Sequence, residues 1–428
     1  MSSLSAAAAR DLPIAKLRAS FPTSWPMDRF GALFTESAER NGPSPKGIAL
    51  SVSEYHGVIP RDDSDGQRAS SDVSVYRVLH PGELAVNYMW LNRGGLGVSD
   101  LLGYISPAYK VYRIDPSVHS RFAHYLLRSR PYVSAFAALG TGVRPNSQMV
   151  DTVELNSLPV PSIPFATQRA IADYLDRETA EIDAMTADLD EMESLLTEHR
   201  KSVSTILIGH LESAPDTRRV SLNVVADLIS SSVDKKSREG EPPVRLVNYT
   251  DVYYGDTLTA DADYMKATAT PEQIERVGVR DGDVIFTKDS ETADDIGIPA
   301  LIRNPAPDMV CGYHLTIARP RRELINPRYL YWILMSGQAK AYWEQAANGV
   351  TRFSIGSSVT SRLPVVLPPL YRQEIVAAEI DRETAEIDAM LVDITELRDL
   401  LAERRAALIA AAVTGQINIP AAEETTHA

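Results

Sequence analysis

The chain has one cysteine, Cys311, in 428 residues. A lone thiol rules out a disulfide framework and any cysteine-based zinc site, and it points to an intracellular, cytoplasmic setting. No apolar run approaches the roughly 18–20 residues a membrane helix needs, so no membrane span is expected. The start, MSSLSAAAARDLPIAKLRASF, is small and polar and does not read as a signal peptide. There is no phosphate-cradling P-loop, no glycine fingerprint between a strand and a helix, and no NPPY- or DPPY-type tetrapeptide of amino-methyltransferases. The eight histidines do not fall beside carboxylates at metal-ligand spacing. His199 reads as a helix-seam residue, His314 as a packed or surface side chain, and Cys311 as a structural thiol. These absences leave no catalytic residues, no metal site and no cofactor of the chain's own.

What is present is a repeat. The string DRETAEIDAM occurs at Asp176–Met185 and again at Asp381–Met390. Both copies have the same surroundings. Leu158-Pro159-Val160 precedes the first and Leu363-Pro364-Val365 the second, Gln168 matches Gln373, and Leu189, Leu195, Leu196 and Glu198 match Ile394, Leu400, Leu401 and Glu403 without a gap. A duplication this exact and this widely spaced makes the chain two copies of one plan.

Charge separates the parts. The net charge of −14 argues, taken whole, against a nucleic-acid partner. Segment 158–210 has ten acids and four bases, and segment 363–415 ten acids and five bases, so the repeats hold most of the excess. Segments 1–157 (14 acids, 16 bases) and 218–362 (19 acids, 18 bases) are nearly neutral and can present local basic patches. The acids of DRETAEIDAM read as solvated faces of an acidic helix.

A long helical pattern follows each proline-rich segment, LPVPSIP at 158–164 and LPVVLPP at 363–369. Leu175, Ile182, Met185, Leu189, Met192, Leu196, Val203 and Ile206 alternate in steps of three and four. Ile380, Ile387, Met390, Ile394, Leu397, Leu401, Leu408 and Ala411 do the same in the second copy. This is a coiled-coil seam, about 60 Å long at 1.5 Å per residue. Two polar residues interrupt each seam, Glu178 and His199 in the first, Glu383 and Arg404 in the second. Antiparallel packing sets Glu178 against Arg404 and Glu383 against His199, whereas parallel packing would oppose the two glutamates. These four residues are therefore expected to fix an antiparallel register.

The regions between the repeats read as mixed α/β. Segment 244–260 has strand composition with a Tyr-Gly-Asp turn. Segment 277–290 reads as two short strands around Asp281-Gly282, 312–320 as a further strand, and 328–347 as one helix. The first region echoes this order: 80–88 parallels 280–288, 103–115 parallels 312–320, and 121–129 parallels 328–336. The expected fold is α+β, two mixed α/β domains separated by a long antiparallel two-helix coiled coil with pseudo-two-fold internal repetition. The boundaries are 1–157 and 218–362 for the variable domains, 158–210 and 363–415 for the helical spacers, 211–217 for a linker and 416–428 for a tail.

The arrangement resembles the specificity subunit of type I restriction-modification systems over nearly the whole chain. The resemblance rests on LPVVLPPLYRQEIVAAEID (363–381) and its sibling LPVPSIPFATQRAIADYLD (158–176), on LIAAAVTGQINI (408–419), and on RVGVRDGDVIFTKDS (276–290). It implies a non-catalytic subunit in which 1–157 and 218–362 are target recognition domains, each reading one half of a split site in double-stranded DNA. The paired helices would space the halves and carry two methyltransferase subunits, with restriction or translocase subunits joining the complex. S-adenosylmethionine would belong to the methyltransferase. Arg, Lys, Asn and Gln on loops suit base edges and phosphates. The candidates are Asn87, Trp90, Asn92, Arg93 and Arg144 in the first region, and Asn248, Tyr249, Lys288, Asp289, Ser290 and Arg352 in the second. Gly94-Gly95 suits a close backbone approach. A coiled-coil structural or adaptor protein without DNA reading is the alternative, and a nuclease acting alone is the third reading.

Overall fold

The computed structural model describes residues 3–61, 72–141 and 149–419, with side chains from residue 11 onward. The protein is mixed α+β. Its contacts divide it into two compact units, Met1–Leu189 with Glu396–Ala428, and Asp190–Thr395. Each long helix, Phe165–Leu211 and Leu370–Val413, gives its beginning to one unit and its end to the other.

In the second unit a five-stranded sheet runs in the order Ala226–Ser230, Leu315–Pro320, Val284–Thr287, Pro299–Ile302, Thr257–Leu258. Both its faces are covered, which explains why Val284–Thr287 is buried throughout. Successive strand side chains point to opposite faces. Val284 and Phe286 join the helices Pro327–Met335 and Gly337–Ala346 in one core, while Ile285 joins a three-stranded sheet in another. That smaller sheet has Pro243–Val247 at its centre, antiparallel to Met265–Thr268 and parallel to Met309–Cys311.

The first unit repeats this order. Phe34–Glu36, Lys110–Ile114, Leu84–Val86 and Leu96–Val98 form one sheet. Gly57–Pro60, Ile48–Ser53, Gly103–Ile105 and Arg77–Leu79 form the other, again with one parallel pair, Ile48–Ser53 with Gly103–Ile105. Leu84 and Val86 face the helical side and Ala85 the other sheet.

Each variable region is closed on itself beside its long helix. Met27–Arg29 pairs antiparallel with Pro159–Pro161, and Arg218–Ser221 with Pro364–Leu367. Prolines are tolerated there because each ribbon has only two strands and an open edge. Gln168 and Gln373 then lock the helix starts. Gln168 accepts from His119 N at 2.9 Å and donates to the carbonyls of Ser117 (3.0 Å) and Ile163 (2.8 Å). Gln373 accepts from Asn326 N at 2.8 Å and donates to Leu324 (3.0 Å) and Pro368 (2.8 Å). Both glutamines are buried.

The first acid of each DRETAEIDAM makes a second clamp. Asp176 accepts from Arg121 and the Tyr125 hydroxyl, each at 2.7 Å. Asp381 accepts from Arg328 and the Trp332 indole, each at 2.7 Å. The sequence reading of these acids as a solvated face is therefore corrected at this position: the string begins with a tether between helix and domain.

Within each unit the beginning of one long helix lies against the end of the other. Ile171, Ala172 and Leu175 share a core with Leu408, Ile409, Ala412 and Val413, and Arg405 is bonded to Asp183. Val203 and Ile208 share a core with Val376, Ala377, Ile380 and Ile387, and Arg200 meets Asp388 at 2.6 and 3.1 Å. These ion pairs occupy equivalent repeat positions but are not the pairs drawn from the seam. Glu178 meets Arg177 at 3.3 Å and Glu383 meets Arg382 at 3.6 Å, while His199 and Arg404 are exposed. The next residue along, Arg200 or Arg405, is the one turned inward. Met185, Met192, Met390 and Leu397, placed on the seam from their spacing, are exposed, as are Leu195 and Leu400.

Three local expectations also change. Residues Tyr249–Tyr254 form a helix, because Asp251 accepts from Asn248 N at 2.7 Å and so caps it from the third position. The segment ahead of Asp281-Gly282 is the helix Pro271–Val277, opened by a reciprocal Thr270/Gln273 capping box, so no hairpin forms there. Segment 328–347 breaks at Ser336, whose hydroxyl donates to Ile333 O (2.7 Å) and accepts from Ala339 N (3.3 Å), ending one helix and starting the next.

Gln373→Ala strands three buried backbone groups at about 1–3 kcal/mol each before relaxation. It is expected to destabilise the second unit by about 3 kcal/mol and to leave the first within about 0.5 kcal/mol. Gln168→Ala is expected to do the reverse. Urea unfolding followed unit by unit by hydrogen exchange checks this, and equal loss in both units from either variant would contradict it.

Candidate nucleic-acid interface

In the second unit, Asn248, Tyr249, Asp289, Ser290 and Arg352 line one cleft of about 700 Å³. Local structure explains why these distant residues meet. Asn248 ends the strand Pro243–Val247 and begins the helix Tyr249–Tyr254. Asp289 and Ser290 continue past the strand Val284–Thr287 and pair with Ser354 and Phe353, which brings the neighbouring Arg352 to the same rim. Lys288 lies at the edge, with Nζ 5.1 Å from the centre of the Tyr313 ring. Arg352 is exposed and has no ion-pair partner among the described residues.

Tyr249 was expected from the sequence, but the other aromatic residues of this cleft, Tyr253, Tyr254 and Tyr313, were not. The short helix places Tyr249 and Tyr253 four residues apart on one face, with rings stacked at 5.6 Å, and Tyr254 packs edge-on at 4.8 Å. Tyr254 and Tyr313 are both exposed. The hydroxyl of Tyr253 donates to Asp295 at 2.8 Å, and this bond pushes its pKa up to about 12. Burial raises Tyr249. Both phenols therefore stay neutral at physiological pH. Reading 244–260 as strand hid the spacing that puts these rings together.

His314, expected as a packed or surface side chain, is part-buried at the wall of the cleft. Its backbone is left-handed (φ 71°), uncommon for a residue with a Cβ. Its Nδ1 lies 2.7 Å from Asp289 Oδ2, and its ring lies 4.2 Å from Tyr313. Lys288 N donates to its carbonyl at 3.0 Å. Strain of this kind persists where surrounding contacts over-determine it and marks functional surfaces. Carboxylates at Asp234, Glu291 and Asp295 share the cleft with Lys235 and Arg352. The cleft thus offers stacking faces, amide groups, cations and acceptors together. Nucleic acid uses each of these: aromatic faces for bases, cations for phosphates, amides and carboxylates for base edges. Cys311 is fully buried in the core of the second unit, and burial pushes its thiol up.

In the first unit the candidates separate. Asn87 is buried, and its side-chain oxygen accepts from Met89 N at 3.2 Å, so it builds a turn. Trp90 is exposed, and Arg93 is half exposed, 4.0 Å from Glu54. Asn92 lies between them in the 3-10 turn Leu91–Arg93. Gly94 is left-handed at φ 78°, and a Cβ on Gly95 would come within 2.8 Å of Trp90 O. The two glycines shape this turn, and the close approach that Gly95 permits is to Trp90 itself. Arg144 lies outside the described residues.

No family model matches the chain. The fold is that of specificity subunits of type I restriction-modification systems. A chain solved in work on complex assembly and conformational transition of the type I R-M system matches with a TM-score of 0.65 and 19% identity, covering 93% of this chain and 99% of that one. The HsdS subunit from Thermoanaerobacter tengcongensis matches with a TM-score of 0.56 and 18% identity, over 93% and 98%. In sequence, the type I restriction enzyme EcoKI specificity subunit of Escherichia coli (strain K12) is 20% identical over 293 residues, 65% of this chain; the chain spans 62% of that relative's length. In fold and, at low identity, in sequence the chain is similar to type I restriction-modification specificity subunits.

His314→Gly relieves the left-handed strain but loses the bond to Asp289. These effects are each about 1 kcal/mol, so stability is expected to stay within about 1 kcal/mol of the parent protein. Thermal unfolding checks this, and a loss above about 3 kcal/mol would show that His314 serves the core and not the cleft.

Proposed function

We propose that this chain is the non-catalytic, sequence-specific DNA-binding subunit of a type I restriction-modification complex. Its variable regions, 1–157 and 218–362, act as two target recognition domains, each reading one half of a bipartite site in double-stranded DNA. The repeated helices at 158–210 and 363–415 pair antiparallel as a coiled-coil spacer. They carry two methyltransferase subunits, which hold S-adenosylmethionine, and restriction or translocase subunits join the same assembly.

The observation that carries the reading is the cleft in the second unit. Five residues chosen as loop-borne base readers converge there with three exposed or stacked tyrosines and a strained histidine. An adaptor without DNA reading has no use for such a surface. The antiparallel spacer is supported by the equivalent pairs Asp183 with Arg405 and Asp388 with Arg200. Docking of two like partners is supported by the exposed apolar residues at matched positions: Met185 and Met390, Met192 and Leu397, Leu195 and Leu400. Apolar groups left in water along an acidic helix suit a protein partner.

Footprinting of the chain assembled with its methyltransferase is expected to protect two segments separated by an unprotected gap; one uninterrupted segment would rule the model out. Exchanging 218–362 for the equivalent region of another such subunit is expected to change one half-site only. Arg352→Ala is expected to weaken DNA binding about tenfold and to reduce the slope of log K against log salt by about one if Arg352 contacts a phosphate. An unchanged affinity and slope would remove Arg352 from the interface.

A further inference from the structure

The first unit contains a groove of about 700 Å³, bounded by the helices Ser120–Arg128 and Arg130–Leu139, by Glu54–His56, and by the long helices near Asp183 and Arg405. Its charges are unevenly answered. Arg121 is met by Asp176 and Arg405 by Asp183. Arg128 is held entirely by backbone carbonyls: Gly94 (2.8 Å), Leu96 (2.6 Å), Glu54 (2.9 Å), Tyr55 (2.7 Å) and Ser53 (3.4 Å). Burial away from any carboxylate lowers its pKa to about 10. Arg130 is exposed, and among the described residues no carboxylate pairs with it or with Arg128. Ala402, Ala406 and Ile409 supply an apolar wall.

The second unit shows what can fill such a place. Arg200 and Asp388 are the repeat counterparts of Arg405 and Asp183. Tyr331 is the counterpart of His124, in the aligned helices RYLYWILMS and RFAHYLLRS. There the carboxylate of Asp256 reaches both the arginine, at 3.5 Å, and the tyrosine hydroxyl, at 3.1 Å. Asp256 directly precedes the strand Thr257–Leu258, which borders Pro299–Ile302. In the first unit the strand Gly57–Pro60 borders Leu96–Val98, and the residue directly before it is His56. Where the second unit has its own aspartate, the first has a histidine and an open groove.

We propose that this groove docks an aspartate or glutamate with apolar neighbours, carried by the partner methyltransferase subunit. The first unit would thereby complete between two proteins the carboxylate contact that the second unit makes within itself. This rests on the assembly described under the proposed function. A DNA backbone fits less well, since Glu54, Asp176 and Asp183 line the same groove and repel a run of phosphates while leaving room for one carboxylate. A consequence is that the two methyltransferase copies bind with unequal strength.

The test uses the full chain assembled with its methyltransferase subunit, titrated and counted by native mass spectrometry and sedimentation. The variants are Arg130→Glu, which reverses an exposed unpaired charge, and His56→Asp, which supplies the missing carboxylate. The parent chain is expected to load the methyltransferase in two distinguishable steps. Each variant is expected to weaken one step by roughly tenfold or more and to leave the other within about twofold, the scale of one charge-assisted contact. Two parent-like steps in both variants would overturn the inference. So would loss of DNA affinity by the partner-free variants, which would make nucleic acid the occupant, or loss of a self-association, which would make it a second copy. Failure of the parent chain to load any methyltransferase would instead overturn the assembly reading.

Discussion

Two buried glutamines hold the architecture together. Gln168 and Gln373 each sit at the start of a 40-residue-scale helix and satisfy, with one amide, three backbone groups from two other segments. Where a strand ribbon, a loop and a helix start converge, buried N–H and C=O groups have no regular ladder to join. Glutamine carries both a donor and an acceptor at the end of a flexible stem, so one side chain completes all three. Asp176 and Asp381 add a second tether two turns further along, receiving a guanidinium and an aromatic donor from the helices Ser120–Arg128 and Pro327–Met335. Domain and helix are thereby joined by directional bonds at two depths, and the orientation of each helix start against its own domain is defined.

That junction separates two kinds of residue. Residues inside the repeat are constrained by bonds that both copies make alike. Residues in the variable regions answer only to local packing, where alternating strand faces need apolar side chains of suitable size. The loops beyond those strands carry no such duty. They can differ between the two regions, as the exposed Met89 and Trp90 stand where the second region has Asp289 and Ser290. A chain built this way can vary its loops without disturbing how they are held.

Much was legible in the sequence because periodicity and exact repetition are local properties. The duplicated string, the proline-rich lead-ins, the two long helices and the acidic character of the repeats all follow from residue order. The convergence of Asn248, Tyr249, Asp289, Ser290 and Arg352 was approached through chemistry, since amides and cations on loops suit base edges. What escaped was set by short-range competition. The Asn248/Asp251 and Thr270/Gln273 caps turned strand-like and hairpin-like segments into helices, and Ser336 cut one helix into two. With the Tyr249–Tyr254 helix unrecognised, the tyrosine stack went unseen, and His314 looked ordinary because backbone strain leaves no mark in composition.

The sequence by itself determined that one string and its surroundings occur twice, where the two long helices begin, and which stretches differ between the copies. Only the tertiary structure decided the register: Asp183 with Arg405 and Asp388 with Arg200, one residue away from the seam positions drawn from the heptads. The reason is physical. A heptad pattern locates a seam only to within a residue, because real helices drift against the ideal repeat. Which arginine turns inward depends on the packing that surrounds it. The same holds for DRETAEIDAM, whose acids look alike in the sequence. In three dimensions the first tethers helix to domain and the eighth bridges to the other helix. Of the two glutamates between them, the one at the third position stays beside its neighbouring arginine.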